Sequence, residues 1–187
     1  MGVYDLICNR RTIRKFLQER IPKNDLLACL NAARLAPSSR NRQPLEYILI
    51  VKNLDLVFNH VSIAGYNSAV GPLDDEKPVA YIVVISNKDI NDHPRYDVGL
   101  AVENIVLTAL ERGIGSCIMG SVEREELKPK LKIPENYNIE LAIGLGYPKQ
   151  KSQEAKYKGD VKYYLNEDGV LNVPKRSLKD IMHEEVF

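Results

Sequence analysis

Three arginines near the start of the chain are spaced like an anion-binding segment. The run Arg10-Arg11-Thr12-Ile13-Arg14 contains three guanidinium groups and one hydroxyl. In extended backbone, alternate side chains point to the same side, so Arg10, Thr12 and Arg14 converge and Arg11 points the other way. Guanidinium groups bind phosphate oxygens through paired donors. The spacing suggests a phosphate site, whereas the run taken alone favours a solvated charged turn.

A second segment, residues 37–44, is dense in neutral polar side chains. It reads Pro-Ser-Ser-Arg-Asn-Arg-Gln-Pro and directly follows a predicted helix. Its two prolines stiffen the backbone. Its hydroxyl and amide groups suit a flat heterocycle with carbonyl oxygens and ring nitrogens better than they suit a phosphate or a metal. The alternative is an ordinary polar connection between a helix and a strand.

A third segment, residues 113–120, contains three glycines and reads Gly-Ile-Gly-Ser-Cys-Ile-Met-Gly. It matches neither GxGxxG nor GxxxxGK[ST], so no dinucleotide fold or P-loop is indicated. A glycine that ends a helix, followed by a short buried strand, accounts for the pattern. Gly120 at the strand end would let the main chain approach a ring closely. Cys117 has no His or Asn nearby in sequence, and we expect an inert buried thiol.

Other kinds of catalytic site have little support. His60 and His93 have no carboxylate at metal-ligand spacing, and His183 lies in the tail, which argues against a zinc or iron site. No G-x-S-x-G elbow or carboxylate pair stands out, and the acidic run at residues 74–76 is expected to be solvated. A chain without a self-sufficient catalytic constellation points to chemistry carried by a cofactor.

Composition describes one globular domain. The 187 residues are 44% hydrophobic and 27% charged, and 26 Lys and Arg against 25 Asp and Glu leave a net charge of +1. With charges this balanced, the net charge of the chain gives no reason to expect a nucleic acid or an anionic membrane as partner. Three scattered cysteines without CxxC spacing fit a reducing compartment. With no apolar run of membrane-spanning length, we expect a cytoplasmic protein.

Helical and strand patterns alternate through the middle of the chain. The segments at residues 10–14, 37–44 and 113–120 each begin where a predicted helix ends. Helices are predicted over residues 3–9, 22–36, 54–63, 96–112 and 123–131, and strands over 46–51, 79–86, 117–119 and 139–143. Such alternation argues for a layered α/β or α+β fold.

The last forty residues have a different character. Residues 150–159 are polar and predicted to be a loop, and residues 161–173 are predicted to be a hairpin around Asp168-Gly169. The tail, residues 174–187, has little apolar content, so it is expected to be disordered or to lie on another surface such as that of a partner chain. Its Lys175 and Arg176 are solubilising, unless the tail folds back to complete the phosphate site.

In this order, the segments resemble the nitroreductase family. Residues 10–16 are similar to its opening R-R-S-x-R-x-F, and residues 37–44 to its P-S-x-x-N-x-Q-P loop. Further similarity covers its central helix at residues 97–105, the following turn and strand at 113–120, a strand end at 144–148, and the basic motif at 174–176. The match spans most of the chain.

The resemblance implies an α+β, three-layer fold with a mostly antiparallel central sheet flanked by helices, assembled as an intertwined homodimer. FMN would lie at the subunit interface. The chain would be a single FMN-binding domain, residues 1–187, in which residues 150–187 form a C-terminal extension with the hairpin and a tail that embraces the partner.

The resemblance also assigns cofactor-binding positions. The flavin phosphate would be held by Arg10, Thr12, Arg14, Lys175 and Arg176, while Arg11 would face the ribityl chain and ring. The ring would be framed from the partner subunit by Pro37, Ser38, Ser39, Asn41 and Gln43. The main-chain N–H of Gly120, next to Met119, would lie near flavin N5, and Asn67 near the ring edge. No side chain is assigned as catalytic and no metal is implied.

The activity implied is FMN-dependent, ping-pong transfer of hydride from NADH or NADPH, through flavin N5, to a small electrophilic acceptor such as a nitroaromatic or a quinone. Alternatives within the same fold are reductive dehalogenation, flavin fragmentation and dehydrogenation; another is a flavin-binding protein without significant turnover. Two departures bear on the acceptor. The stretch of residues 53–78 is short, which reduces the helical cover of the cleft, and residues 150–173 form an insertion.

Overall fold

The computed structural model describes residues 2–63 and 70–187. Within these ranges the elements are α1 Val3–Asn9, α2 Lys23–Arg34, β1 Leu45–Ile50, α3 Asp55–Phe58, β2 Ala80–Asn87, α4 Arg95–Glu111, β3 Gly115–Met119, α5 Arg124–Lys130, β4 Tyr137–Gly146, β5 Ser152–Lys156, β6 Tyr164–Leu165 and β7 Leu171–Lys175. Short 3-10 turns lie at Ser39–Asn41, Asp74–Glu76 and Leu178–Asp180.

A four-stranded antiparallel sheet with strand order β1-β2-β4-β3 forms the centre. Alternate residues of β2 point to opposite faces: Ala80 and Ile82 belong to one apolar cluster, and Tyr81 and Val83 to the other. Because both faces are covered, every residue of β2 except the last is buried.

Helices cover the two faces and complete three layers. On one face, α2 and α4 contribute Leu26 and Ile105 to the first cluster. On the other, α3 and α5 contribute Val57 and Leu127 to the second. The apolar residues of α4 that face the sheet recur at helical spacing. The expected α+β fold with a mostly antiparallel central sheet is confirmed.

The extended segment after α1 lies against the free edge of β3. Thr12 forms a parallel bridge with Ser116, and the amide of Ile13 donates to the Ser116 carbonyl at 2.9 Å. Phe16 then crosses the end of β4, where a Cβ on Gly146 would lie only 2.8 Å from the Phe16 side chain. Glycine is required there because the Phe16 side chain packs directly against the strand backbone.

The predicted helix over residues 54–63 is wrong in length. It ends at Phe58, because the following residues pair with the turn after β3 instead of continuing the helix. Val61 bridges Val122, and the His60 carbonyl accepts the Glu123 amide at 2.9 Å. Tertiary pairing therefore overrides a helical pattern in a short segment.

The predicted loop over residues 150–159 is also wrong. Residues Ser152–Lys156 form β5, which pairs in parallel with β7 in a second sheet of order β5-β7-β6. The strand is polar and mostly exposed, so it lacks the apolar alternation from which strands are predicted. The hairpin of β6 and β7 is confirmed, with Gly169 at φ +72° in its turn.

The acidic run at residues 74–76 is solvated only in part. Glu76 is 6% exposed, and its carboxylate accepts the Leu73 amide at 3.0 Å. Lys15 and Lys149 each lie 3.3 Å from a Glu76 carboxylate oxygen. The expectation of a fully solvated acidic run is therefore wrong for Glu76, which is buried because cations and an amide surround it.

Candidate cofactor site

The basic segment after α1 begins with Arg10, which turns toward α4. Its Nε lies 3.7 Å from a carboxylate oxygen of Glu103. Thr12 follows at the bridge to Ser116 in β3. The strand edge therefore fixes the backbone from which Arg10, Thr12 and Arg14 extend. Asn67, which the sequence also places at the site, lies outside the described residues.

Arg14 is held from three directions. Its Nε donates to the Ile63 carbonyl at 2.8 Å, and its amide donates to Oε1 of Gln150 at 3.1 Å. The guanidinium carbon lies 4.5 Å from the ring centre of Tyr163, within the range of a cation–π contact. Two of these contacts come from the C-terminal extension, from Gln150 and Tyr163, which no sequence pattern had linked to the basic segment.

Arg11 lies beneath the second sheet with a side chain only 11% exposed. Its Nη2 lies 3.0 Å from Glu154 in β5, and its Nη1 donates to the Arg10 carbonyl at 2.6 Å. Its Nε is buried and has no hydrogen-bond partner among the described residues. An unsatisfied buried donor is costly, so this nitrogen has capacity for an acceptor atom of a ligand.

The loop at residues 37–44 is held in place by hydrogen bonds, and the polar side chains of residues 39–43 are exposed. The amide of Gln43 donates to Oγ of Ser38 at 3.0 Å, and the amide of Ser39 donates to Oδ1 of Asp97 at 2.9 Å. The Gln43 side-chain amide reaches the Asn41 carbonyl at 3.3 Å. Asp97, buried at the start of α4, was missed by the sequence argument, although an acid in the first turn of a helix is a recognisable N-terminal feature.

Three residues of this loop have left-handed backbone. Arg40, Asn41 and Gln43 have φ values of 53°, 54° and 52°. Non-glycine residues adopt this region at a cost of about 1 kcal/mol or more each. Pro37, Ser38 and Gln43 line a small cavity of about 80 Å³ beside α2 and α4. The loop thus presents hydroxyl and amide groups on a constrained backbone.

Gly120 lies exposed at the carboxyl end of β3. A Cβ built on it would meet no atom within 4 Å, and its φ lies outside the left-handed region. Nothing among the described residues therefore requires glycine there, and a group from outside the protomer would have open access. A cavity of about 500 Å³ lies beside it, lined by residues 59–62 and 120–124. Met119 is different, because its side chain is buried in the second apolar cluster.

The basic pair near the C-terminus lies at the end of β7. Lys175 is the last residue of that strand, opposite Lys156 in the register, and Arg176 donates to the Asp180 carbonyl. The same register sets Val173 opposite Glu154, the partner of Arg11. Lys175 is thus two residues along β7 from the point where the second sheet contacts the basic segment.

Cys117 is buried in β3, and burial raises the pKa of its thiol to about 11. A thiol of this pKa is protonated at neutral pH and is a poor nucleophile. No group of His, Cys, Asp and Glu among residues 2–63 and 70–187 is arranged to hold a metal ion. Among the same residues, no helix has the length and hydropathy needed to cross a bilayer.

Comparison with known proteins gives a consistent result. A sequence model of the nitroreductase family matches residues 7–147. A protein of Archaeoglobus fulgidus, provisionally named an NADH dehydrogenase/NAD(P)H nitroreductase, is 33% identical over 159 residues, which cover 78% of this chain and 85% of its own. An iodotyrosine deiodinase of Thermotoga neapolitana is 26% identical over 164 residues, 78% of this chain and 88% of its own.

Among solved structures, one from Desulfovibrio desulfuricans, provisionally named a nitroreductase and determined in complex with FMN, superposes with a TM-score of 0.75. The likeness covers 100% of this chain and 98% of that one at 24% identity, and it bears on the fold alone. The family match, which covers well over half of the sequence, together with the 33% identical relative, establishes that the chain belongs to the nitroreductase family.

Proposed function

We propose that this protein is an FMN-dependent oxidoreductase that transfers hydride from NADH or NADPH to a small electrophilic acceptor. The observation that carries the proposal is the edge of β3. The basic segment is bridged to this edge at Ser116, and the exposed Gly120 lies four residues further along, roughly 13 Å at the rise of a strand. One strand edge therefore presents both an anion-binding segment and an open main-chain position.

The residues present fit the cofactor. Arg10, Thr12, Arg14, Lys175 and Arg176 would hold the phosphate, and the unsatisfied Nε of Arg11 supplies a buried donor for a polar atom of the ribityl chain. The ring would lie beside the main chain of Gly120, near Asn67. The neutral frame would come from the partner's copy of the loop at residues 37–44.

FMN, when bound, supplies the chemistry, because it accepts hydride from the nicotinamide and passes it to the acceptor. The chain's own residues bind, orient and exclude water. Guanidinium groups along the basic segment also provide positive charge that favours an anionic reduced flavin. No acidic or basic side chain is assigned to carry a proton in this scheme. The proton that completes reduction of a quinone or a nitro group would come from water.

A homodimer is part of the proposal. One side of α4 exposes Tyr96, Gly99 and Leu100, and α1 exposes Val3 and Tyr4. Glycine within a helix costs about 1 kcal/mol relative to alanine, and a Cβ on Gly99 would meet nothing within 4 Å. A second copy packed closely on this side would account both for the glycine and for the exposed apolar side chains.

The test is anaerobic reduction of the purified protein. We expect a yellow protein with one FMN per chain, bleached by NADH or NADPH and recoloured by a nitroaromatic or a quinone. A colourless protein that binds no added FMN would overturn the proposal. A yellow protein that neither nucleotide bleaches would favour a flavin-binding protein without turnover.

Reductive dehalogenation is a second candidate, favoured by the 26% identity to an iodotyrosine deiodinase. The same reduced protein distinguishes the two activities. Stoichiometric release of iodide from iodotyrosine, faster than reduction of a nitroaromatic at equal concentration, would support dehalogenation. Reduction of the nitroaromatic without iodide release would exclude it.

A further inference from the structure

Arg124, the first residue of α5, directs its whole guanidinium group to main-chain carbonyls. Its Nε donates to Ile139 at 2.8 Å and its Nη2 to Glu140 at 2.9 Å. Nη2 also donates to Gly120 at 3.1 Å, and Nη1 to Val122 at 3.3 Å. No ion pair to Arg124 is found in residues 2–63 and 70–187. The side chain is therefore a link between backbone segments.

The link begins where strand pairing ends. The last register pair of β3 and β4 is Met119 with Ala142, so Gly120 lies just beyond the ladder. Continued by one residue, this register would set Gly120 opposite Leu141. The neighbour of Leu141, Glu140, is the residue that the β2–β4 register skips, between Ile139 and Leu141, as in a β-bulge. Arg124 joins the two irregular positions and replaces the ladder hydrogen bonds that they lack.

The Arg124 hydrogen bonds matter because one of them restrains a glycine, Gly120. Without a Cβ, the backbone at Gly120 has wide freedom in φ and ψ, and a Cβ built at this position would meet no atom within 4 Å. The adjoining turn is tied on one side by the Ser62 amide, which donates to Ser121 at 3.0 Å. The Arg124 bond to the Gly120 carbonyl fixes the peptide that follows Gly120. The peptide before it, which carries the Gly120 N–H, begins at Met119 in the β3–β4 pairing, so Gly120 is restrained from both ends.

We propose that Arg124 is a positioning residue for the flavin, which restrains the main chain at Gly120 by joining the Gly120 and Val122 carbonyls of the turn to the Ile139 and Glu140 carbonyls of β4. This role rests on the proposed function, since it requires FMN beside Gly120. A lysine could not replace the arginine, because an ammonium is a compact charge on a flexible stem and lacks the planar fork that reaches two strands at once.

The effect should depend on the redox state of FMN. Oxidised flavin N5 accepts a hydrogen bond, whereas reduced N5 carries a proton, so a main-chain N–H directed at N5 favours the oxidised form. Loss of the link should weaken the binding of oxidised FMN about tenfold and the binding of reduced FMN less than threefold. The ratio of these two effects is about three to ten, which for a two-electron couple corresponds to a rise of roughly 15–30 mV in the midpoint potential.

The experiment compares wild type with Arg124→Gln and Arg124→Lys in the full-length flavoprotein. The matched control is Arg112→Gln, which also removes a guanidinium bond to a main-chain carbonyl, that of Thr108, but at the far end of α4. The measurements are the midpoint potential, the affinities for oxidised and reduced FMN, and amide hydrogen exchange over residues 120–122.

Both Arg124 variants should raise the potential and speed exchange over residues 120–122 at least tenfold, with the control unchanged. Arg124→Lys keeps the positive charge but removes the planar group, so it separates geometry from charge, and it remains measurable if Arg124→Gln folds poorly. If Arg124→Lys behaved like wild type, the proposed role would be overturned. Equal weakening of both redox forms would also overturn it. A wild type that binds no FMN would overturn the proposed function together with this role, whereas unchanged variants of a flavin-loaded protein would overturn this role alone.

Discussion

The Nη2 atom of Arg11 lies 3.0 Å from a carboxylate oxygen of Glu154, 143 residues later in the chain. The pair ties the segment after α1 to the first strand of the second sheet. Arg14 adds two further ties to the same extension, through Gln150 and Tyr163. The residues proposed to bind FMN are therefore oriented by a part of the chain that lies beyond the family match.

Replacing Glu154 with Gln should lower stability modestly. The Arg11 side chain is 11% exposed, but Glu154 is 60% exposed, so solvent screens the pair and about 1 kcal/mol is expected. For a chain of this size, that corresponds to a fall of roughly 2–4 °C in Tm. Calorimetry measures it, with Glu167→Gln, an exposed carboxylate near the hairpin turn, as the control. Equal Tm values for the two variants would contradict a structural role of the pair.

The phosphate assignment predicts weaker FMN binding in Arg10→Ala, Arg14→Ala and Arg176→Ala. Loss of a charge-assisted hydrogen bond costs about 1.5–3 kcal/mol, so the FMN Kd should rise roughly 10- to 150-fold. Quenching of flavin fluorescence provides the measurement, and Arg20→Ala, at an exposed position, is the control. Unchanged affinity in all three variants would refute the assignment.

Glu76 predicts a pH-dependent stability. The amide of Leu73 and the ammonium groups of Lys15 and Lys149 hold the pKa of the Glu76 carboxyl below its usual range. Its stabilisation is thus present above the pKa of the unfolded chain, and it is lost as the pH falls through the lower folded pKa.

We therefore expect Glu76→Gln to be about 2 kcal/mol less stable than wild type at pH 7, with the difference shrinking below roughly pH 4. Urea unfolding at several pH values measures it. Asp75→Asn, at an exposed neighbour of Glu76, should change little. A difference that does not vary with pH would show that the charge of Glu76 is not the cause.

Gly99→Ala tests the proposed homodimer. In a lone helix, alanine is favoured by about 1 kcal/mol, so an exposed α4 would be stabilised. If a second copy packs closely on this side, the added methyl group should instead raise the dimer dissociation constant at least tenfold, as sedimentation would detect. Glu111→Ala, near the end of α4, is the control. Greater stability with unchanged association would mean that the Gly99 side of α4 faces solvent.

The cysteines should differ in reactivity. Cys8 is exposed, whereas Cys29 and Cys117 are buried, and burial raises the pKa of each buried thiol to about 11. At pH 8 a thiol reagent should modify Cys8 alone in the native protein and all three after unfolding, as mass spectrometry would reveal. Native labelling of Cys117 at the rate of Cys8 would contradict the buried arrangement.

The best-predicted elements have strong local patterns. The apolar run of β2 and the helical spacing of α4 give both strand and helix within a residue or so of their observed bounds. The polar strand β5 has no such pattern, and its pairing is supplied by β7, which follows it in the chain only after β6. Its existence depends on a contact between distant residues, which local reasoning does not detect.

The candidate site divides in the same way. The types and spacing of Arg10, Thr12 and Arg14 mark them as a basic segment, but their partners lie far along the chain. Nothing near Glu154 in sequence identifies it as the partner of Arg11. Arg124 was missed for another reason, since it binds carbonyls, which every residue has, and so leaves no signature in the residue types around it.

The parallel pairing of β5 and β7 determines where the chain finally leaves the molecule. Two strands that run the same way end at the same edge, so the chain departs beside Lys156, away from the entry point at Ser152. The 12 residues from Arg176 to Phe187 are all exposed and, fully extended, would reach roughly 40 Å. An affinity tag fused after Phe187 would therefore sit within range of a neighbouring molecule and should be removed before assembly is measured.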